Sequence, residues 1–332
     1  MNRPSVRTVC RPPAGLADEL REKVEALAGG IGQRNCYRPD GLEAAAEWIE
    51  QQFAAAGLRP RRLPVHVPAG PPWLCSVMTV WNIEATKPGS GRADEVIVVG
   101  SHYDSRVAMA GYRDHGPPLK DRLGTPGADD NASGVAATLT VARMLADRST
   151  ERSIRFVAFV NEEPPFFQTP AMGSRVYARA IAANPSVRVI GMISPDSLGC
   201  YSYQSMRKRI ALASVVGLPD RPDYVAFLSN RFSRRFSRRC AEVFGRHSAI
   251  AVRSVALPAL TPRVGWSDDW SFWQEGIPAF NVTDTGYLRY DHYHEISDTP
   301  DRLDYPAMAE VVWGLRHVIE SLANPSADPE CP

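Results

Sequence analysis

The chain has 332 residues, of which 44% are hydrophobic and 23% charged, and its 38 basic and 37 acidic side chains leave a formal charge of +1. This composition is typical of globular proteins and excludes intrinsic disorder, a collagen-like repeat and a disulfide-packed mini-protein. Because the charge is nearly balanced, we expect no nucleic acid and no membrane among the partners of the chain.

The first part of the chain predicts two helices followed by two strands. Residues 16–28 and 41–56 have apolar side chains at the three- and four-residue spacing of amphipathic helices. The next two stretches, at 60–67 and 75–85, are typical of strands and are separated by the turn-rich sequence AGPP. These elements precede the more regular alternation that begins near residue 95.

From residue 95 onward, apolar strands alternate with helices in two consecutive β-α-β units. Strands are expected at 95–101, 153–161 and 188–194, and their continuously apolar character suits a sheet that is covered on both faces. We therefore expect an α/β fold, a three-layer α/β/α sandwich around a mostly parallel mixed sheet. Later strands are expected at 224–228, 249–257 and 277–284, and later helices at 229–246, 268–275 and 305–323.

Side chains that can bind metal stand where the predicted strands end. In an open α/β sheet, ligands bind outside the carboxyl ends of the strands. Each such residue has an ordinary alternative role as a helix cap, a turn residue or a solvated side chain. Those roles do not explain why all of them fall on one edge of one sheet. They are His102, Asp104, Asp129, Asp130, Glu162, Glu163, Asp196, His292 and His294.

The types of these side chains predict a metal centre. Crowded carboxylates repel one another unless divalent cations neutralise them. Histidine and carboxylate ligands without a thiolate suit zinc, cobalt or manganese rather than a structural zinc finger. His102 and Asp104 form a His-x-Asp pair, which supplies a ligand imidazole and a carboxylate to orient it.

Six motifs, in this order, resemble those of the M28 family of zinc peptidases, the co-catalytic di-zinc aminopeptidases. The resemblance covers roughly residues 40–320 and implies the fold of the zinc exopeptidases, which is phosphorylase/hydrolase-like. The motifs are GSHYDS (100–105), PGADDNASG (126–134), NEEPPFFQTPAMGS (161–174), ISPDSLG (193–199), SDDWSFWQEGIPA (267–279) and YHEISDTPDRLDY (293–305).

The resemblance implies a centre of two Zn²⁺ ions, with Co²⁺ or Mn²⁺ as possible substitutes. His102 and Asp196 would bind one ion, and Glu163 and His294 would bind the other. Asp129, the first acid of GADDN, would bridge both ions, and the peptide bond that follows the bridging residue is characteristically cis in the family.

Three further residues have implied catalytic roles. Glu162 would be the general base, which takes the proton of a zinc-activated water and delivers it to the leaving amine. Asp104 would orient His102, and Tyr293 would donate a hydrogen bond to the developing oxyanion. A second ion also offers a place for a free α-amine, so the implied function is a metal-dependent exopeptidase, an aminopeptidase acting on peptide or aminoacyl substrates.

Two alternatives on the same fold are a glutaminyl-cyclase-like acyltransferase with one zinc ion and a non-catalytic binding domain. The cyclase reaction needs neither a hydrolytic water nor a second ion, so the presence of His102, Asp129 and Asp196 disfavours it. Non-catalytic relatives usually lose ligands, and none is missing here. A serine hydrolase and a zincin are excluded because the chain has neither a G-x-S-x-G nor an H-E-x-x-H motif.

The expected organisation is a single domain, because ligands from His102 to His294 must converge. We expect an N-terminal extension and helix at 1–38, one M28-like peptidase domain at 39–323 and a tail at 324–332. The oligomeric state stays open.

Three segments have individual expectations. The basic loop at 105–126 is expected to be a solvated flap, with recognition of a substrate carboxylate as the alternative. The run RFSRRFSRR at 231–239 is expected to be the solvated face of a helix. Asp269 stands where many relatives have histidine, which is expected to alter a contact behind the ligands.

The N-terminal sequence and the cysteines predict a cytoplasmic location. The opening residues MNRPSVRTVCRPPAG lack the apolar run and cleavage pattern of a signal peptide. No stretch approaches the ~18 apolar residues that cross a bilayer. The six cysteines form no C-x-x-C pair and are expected to be reduced and mostly buried.

Overall fold

The computed structural model describes residues 11–67, 78–107, 124–201, 223–261 and 264–326. Its central feature is one mixed sheet with the strand order β1-β2-β4-β3-β5-β8-β6-β7, whose bounds follow. The strands are β1 (Pro60–Val67), β2 (Met78–Lys87), β3 (Arg92–His102), β4 (Arg152–Phe159), β5 (Arg188–Pro195), β6 (Tyr224–Asn230), β7 (Ala251–Leu257) and β8 (Ala279–Thr283).

The centre of the sheet is parallel and its margins are mixed. β3 pairs in parallel with β4 and β5, and β5 pairs in parallel with β8, so the carboxyl ends of these four strands lie at the same edge. β1 and β2 are antiparallel at one margin, and β6 runs antiparallel to β8 at the other. The predicted mostly parallel mixed sheet is confirmed.

Helices cover both faces of the sheet, which completes the predicted three-layer sandwich. Five helices (α1, α2, α3, α5 and α8) contribute to the larger core on one face. α4 and α6 contribute to the smaller core on the other face. The helices are α1 (Leu16–Val24), α2 (Pro39–Ala55), α3 (Gly134–Leu145), α4 (Gly173–Ala182), α5 (Arg234–His247), α6 (Asp269–Trp273), α7 (Gly286–Arg289) and α8 (Tyr305–Ala323).

The apolar run in β3 explains why this strand lies in the middle of the sandwich. Successive side chains of a strand point to opposite faces of the sheet. Ile97 and Val99 accordingly enter the larger core, whereas Val96 and Val98 enter the smaller one. Burial of each side chain contributes about 1.5–3 kcal/mol to folding. The strand therefore holds its last residue, His102, at a fixed position at the edge of the sheet.

The helix expected at 229–246 begins later than predicted. β6 continues to Asn230, which pairs with Leu257 of β7, and α5 begins only at Arg234. The side-chain oxygen of Asn230 accepts a hydrogen bond from the Ser233 backbone N–H at 2.8 Å, which turns the chain out of the strand. Pairing within the sheet therefore outweighs the local polar pattern. The arginines of α5 at 234, 235, 238 and 239 are exposed, which confirms the prediction of a solvated basic face.

The predicted N-terminal extension includes a helix that belongs to the main core. Leu16, Leu20 and Val24 of α1 are buried in the same cluster as the apolar side chains of α3 and α8. The domain bounds of 1–38, 39–323 and 324–332 stay a prediction. No helix within the described ranges is long and apolar enough to cross a bilayer.

The expectation that all six cysteines are reduced is wrong at Cys36, which is disulfide-bonded. Cys200 and Cys240 are free thiols in the interior. The absence of a C-x-x-C pair does not exclude a disulfide, because the fold can bring other cysteines together. The predicted cytoplasmic location stays a prediction.

Candidate metal centre

Three strands and two turns position the candidate ligands. His102 is the last residue of β3, and Asp196 directly follows β5. Glu163 follows β4, and His294 lies beyond α7. Asp130 is in the turn at 128–133 that leads into α3. Because the strands are parallel, side chains that are up to 192 positions apart meet at one edge of the sheet.

The first group of ligand atoms surrounds His102. Its Nε2 lies 3.2 Å from Oδ1 of Asp130 and 3.9 Å from Oδ2 of Asp196. Its Nδ1 lies 3.1 Å from the backbone oxygen of Asp104, a contact that fixes the plane of the imidazole ring. The His102 side chain is fully buried, so this group is enclosed by protein.

The second group surrounds His294 and shares Asp130 with the first. Nε2 of His294 lies 3.0 Å from Oδ2 of Asp130 and 3.5 Å from Oε1 of Glu163. Within each group the potential ligand atoms are all within 4.8 Å of one another. The two oxygens of Asp130 therefore face the two histidines, and the two groups form a single continuous site.

The structure contradicts the choice of Asp129 as the bridging residue. Oδ1 of Asp129 accepts a hydrogen bond from the backbone N–H of Gly199 at 2.7 Å, and Asp129 belongs to neither group of ligand atoms. Asp130 belongs to both groups, and the cis peptide bond joins Asp130 to Asn131. Composition cannot distinguish two adjacent aspartates, since only the path of the backbone decides which carboxylate faces inward.

The donor set fits divalent metal ions of the zinc class. Nε2 of His102 and Oε1 of Glu163 are buried, and neither has a hydrogen-bond partner in the part of the chain that the structure describes. Burial alone would lower the pKa of His102, but Glu162, Asp130 and Asp196 raise it well above the usual range for histidine. A site that holds positive charge so strongly, with only nitrogen and oxygen donors, suits zinc, cobalt or manganese.

Glu162 lies beside this site, on the side of His102. Its Oε2 is 3.8 Å from Nε2 of His102, and the residue is buried. Burial is the largest cause that raises its pKa well above the usual value for glutamate, and the negative charges of Glu163 and Asp196 raise it further. Asp268, another buried carboxyl group, acts in the same direction. These surroundings favour the protonated form of Glu162.

The Asp104 side chain lies beside the imidazole that it is expected to orient, with Oδ1 3.8 Å from Nδ1 of His102, and it also holds backbone. Its two carboxylate oxygens accept hydrogen bonds from the consecutive N–H groups of Glu162 and Glu163, at 3.0 and 3.1 Å. Nδ1 of His102 also contacts the carbonyl oxygen of Asp104, so the orienting role of the carboxylate stays a prediction. Burial raises the pKa of Asp104 to about 6. Asp104 thus fixes the turn that presents both glutamates.

Asp298 makes the equivalent contacts with the other acidic pair, and sequence reasoning missed it. Its carboxylate accepts from the N–H groups of Asp129 and Asp130 at 2.9 and 3.2 Å. The hydroxyl of Tyr290 donates to the same carboxylate at 3.0 Å. Asp298 lies in the quoted motif YHEISDTPDRLDY, but nothing in the motif distinguishes a ligand from a residue that holds a turn.

Tyr293 is adjacent to the site but its oxyanion contact stays a prediction. Its ring stacks on the His294 imidazole, with 3.8 Å between the centroids and 20° between the planes. Burial raises the pKa of Tyr293 well above 10, and Asp130 and Glu163 raise it further. The hydroxyl therefore keeps its proton at neutral pH, as a hydrogen-bond donor must.

Two other sequence expectations concern residues near the site. Arg106, at the start of the basic loop, is buried with Nη1 3.6 Å from Oε2 of Glu163. The rest of that loop, at 108–123, lies outside the described residues, so its expected role is untested. Asp269 is fully buried beside Asp268; burial raises its pKa well above the usual value for aspartate, and the charge of Asp268 raises it further. Among the described residues, neither carboxylate has a hydrogen-bond partner.

Comparison with known proteins identifies the family. The family model of peptidase family M28 matches residues 82–319, a range that includes every candidate ligand. The chain is a member of peptidase family M28. This M28 chain is 33% identical over 307 residues to the protein YfbL of Escherichia coli (strain K12), covering 92% of the chain and 88% of YfbL. It is 32% identical over 190 residues to a probable zinc metalloprotease of Pyricularia oryzae, covering 54% of the chain and 35% of that protein.

Solved structures with the same fold include enzymes of two kinds. The zinc aminopeptidase BSAP from Bacillus subtilis superposes with a TM-score of 0.68 at 14% identity, covering 94% of the M28 chain and 96% of BSAP. Glutaminyl cyclase from Bacteroides thetaiotaomicron superposes with a TM-score of 0.64 at 18% identity, covering 93% and 99% of the two chains. These likenesses show the shared α/β fold.

Proposed function

We propose that this M28 chain is an aminopeptidase that uses two zinc ions to hydrolyse the N-terminal bond of peptide or aminoacyl substrates. The observation that carries the proposal is the pair of ligand groups that share Asp130. His102, Asp130 and Asp196 would hold one ion, and Asp130, Glu163 and His294 the other. Zinc aminopeptidase activity in the structurally similar BSAP supports the same reading.

The side chains of the chain have distinct tasks in this reaction. When bound, two zinc ions lower the pKa of a shared water molecule and polarise the scissile carbonyl group. Glu162 takes a proton at its carboxylate and transfers it to the leaving amine, a task that its raised pKa favours. Tyr293, which keeps its hydroxyl proton, donates a hydrogen bond toward the carbonyl oxygen.

Binding of a free α-amine at the site distinguishes an aminopeptidase from other hydrolases. The test is a panel of matched dipeptides with free and acetylated N-termini, incubated with zinc-loaded protein. We expect cleavage of the free dipeptides only, its loss on chelation and its return with zinc or cobalt. Cleavage of the acetylated dipeptides would instead assign a carboxypeptidase or an amidohydrolase.

A glutaminyl-cyclase-like acyltransferase is the second candidate, because solved cyclases share the fold at similar TM-scores. The number of ions separates the two proposals. Elemental analysis of purified protein is expected to find two zinc-class ions per chain. One tightly bound ion, together with cyclisation of an N-terminal glutamine peptide, would favour the cyclase.

A further inference from the structure

Arg34 is a fully buried arginine whose guanidinium contacts backbone rather than a carboxylate. Within the described residues, all of its hydrogen bonds go to main-chain carbonyl groups at distances from 2.6 to 3.1 Å. A buried guanidinium is costly unless its donors are satisfied, and here each of its three nitrogen atoms donates. The accepting residues are Leu27, Gly32, Tyr103, Pro126 and Gly127.

Three of these carbonyl groups belong to the backbone next to the candidate ligands. Nε donates to Tyr103, the residue between His102 and Asp104, at 2.8 Å. Nη1 and Nη2 donate to Pro126 at 2.6 Å and to Gly127 at 3.1 Å, directly before the turn that contains Asp130.

The backbone at Gly127 leaves no room for a side chain. Its φ of +65° lies in the left-handed region, and a Cβ atom there would stand 2.4 Å from the Asp130 carbonyl oxygen and 3.2 Å from Nη2 of Arg34. The guanidinium and the turn that contains Asp130 are therefore packed closely around Gly127.

Asp298 holds the same segment from the opposite side. Its carboxylate accepts from the N–H groups of Asp129 and Asp130, and its carbonyl oxygen accepts from Ala128 at 3.2 Å. The segment at 126–130 thus gives two consecutive carbonyl groups to a buried cation and the next three N–H groups to one aspartate. Hydrogen bonds with an ionised partner are roughly twice as strong as neutral ones.

We propose that Arg34 and Asp298 are positioning residues that clamp the segment 126–130 and thereby hold the Asp130 carboxylate between His102 and His294. The proposal rests on the proposed metal-binding function of that carboxylate. Neither residue touches the ligand atoms of the site, so both act through backbone. Because Asp130 belongs to both ligand groups, loss of either residue weakens both groups.

The test measures Co²⁺ binding by the metal-free full-length protein, using titration calorimetry and the visible absorption spectrum of bound Co²⁺. Arg34→Met and Asp298→Asn are expected to weaken Co²⁺ binding about 10- to 100-fold, the usual effect of losing an outer partner of a metal ligand. Arg34→Lys keeps the charge but loses the planar fork, so an intermediate affinity and a shifted Co²⁺ spectrum are expected.

Two control variants remove a similar contact elsewhere. Arg143→Met breaks a pair of hydrogen bonds to Glu19, at 2.8 and 2.7 Å, that also ties α1 to the rest of the fold. Asp301→Asn changes an exposed aspartate three positions after Asp298. Both controls are expected to bind Co²⁺ as the unchanged protein does.

The combined variant Arg34→Met/Asp298→Asn is expected to lose less affinity than the product of the single losses, because both residues act on one segment. Reduced thermal stability with unchanged Co²⁺ affinity in Arg34→Lys and Asp298→Asn would overturn the proposal in favour of a merely structural role. If the loss of Co²⁺ affinity in the double variant equals the product of the two single losses, the two residues do not act together as a clamp. The unchanged protein could bind only one Co²⁺ ion or cleave no dipeptide, while the variants still bind Co²⁺ more weakly than it does. That result would contradict the proposed function but support the clamp.

Discussion

The two halves of the candidate metal centre share Asp130 but are built differently. The His102 half stands on the ends of β3 and β5, and its histidine side chain is fully buried. The His294 half stands on turns, and its histidine side chain is 18% exposed with a left-handed φ of 62°. Ligands on strands are held more precisely than ligands on loops. We therefore expect a tighter, slowly exchanging ion at His102 and a weaker one at His294.

The largest effect is expected from the adjacent glutamates, which face different halves. Glu162→Gln is expected to lower kcat about 1,000-fold while both ions stay bound, because the variant removes only the proton acceptor. Glu163→Gln serves as the matched comparison and is expected to lose the ion at His294. Elemental analysis counts the ions bound by each variant, and kinetics on a dipeptide with a free N-terminus measures kcat. An active Glu162→Gln protein would show that the base is another group.

Replacement of the two histidines tests the difference in rigidity. His294→Ala is expected to bind one ion with nearly unchanged affinity, because the His102 group stays complete. His102→Ala is expected to weaken metal binding more than about 10- to 100-fold, which is the usual effect of losing a residue that only supports a metal ligand. It is also expected to lower the melting temperature, because it leaves a cavity in the interior. Equal effects of the two replacements on affinity and melting temperature would contradict the comparison.

Asp104→Asn tests whether the glutamate turn depends on a carboxylate. An amide has one acceptor oxygen in place of two, so one backbone N–H of Glu162 or Glu163 loses its partner at a cost of about 1–3 kcal/mol. We expect kcat to fall about 10- to 100-fold with little change in KM. Asp147→Asn, which changes an exposed aspartate just after the end of α3, is the control for the exchange of a carboxylate for an amide. Unchanged kcat in Asp104→Asn would mean that the turn is held by its own backbone.

The smallest effect concerns acid stability, away from both halves. His247 and His317 stack with 4.0 Å between the ring centroids, and burial lowers the pKa of His317 to about 3 and also lowers that of His247. Both are neutral in the folded protein, whereas unfolded histidine takes up a proton below about pH 6.5. The free energy of unfolding should therefore decrease as the pH falls from about 6.5 toward 3, by at most about 1.4 kcal/mol between pH 7 and pH 6.

Melting curves of the metal-free protein at pH 7 and 6 check this, with His317→Gln as the control that removes one titrating ring. If the melting temperature falls more steeply with pH in the metal-loaded protein than in the metal-free protein, the loaded protein also loses its metal ions. If His317→Gln is as acid-sensitive as the unchanged protein, the histidine pair is not the cause.

The sequence is sufficient to predict the sheet and most of the residues that meet at its edge. Continuous apolar runs identify β3 and β4, since their side chains are buried on both faces. The edge follows because parallel strands end together. The sequence pattern does not determine the direction in which an individual carboxylate points. The sequence therefore predicts Asp129 at a position where the structure has Asp130 facing the histidines.

The residues that hold the turns are also beyond sequence reasoning. Arg34 is a lone arginine before an amphipathic helix, and Asp298 is one of several acids in its motif. Their importance arises from hydrogen bonds to backbone groups 92 and 168 positions away, which no local spacing encodes.

The contacts of Arg34 have a consequence for shortened versions of the chain. The carbonyl groups of Leu27 and Gly32 accept hydrogen bonds from the guanidinium on one side. The backbone of Arg34 also exchanges hydrogen bonds with Ser105, at 3.1 and 2.7 Å. A fragment that begins at residue 39 keeps every candidate ligand but exposes Tyr103, Pro126 and Gly127 to water. Proteolytic trimming at this point would therefore inactivate the site without removing a single residue from it.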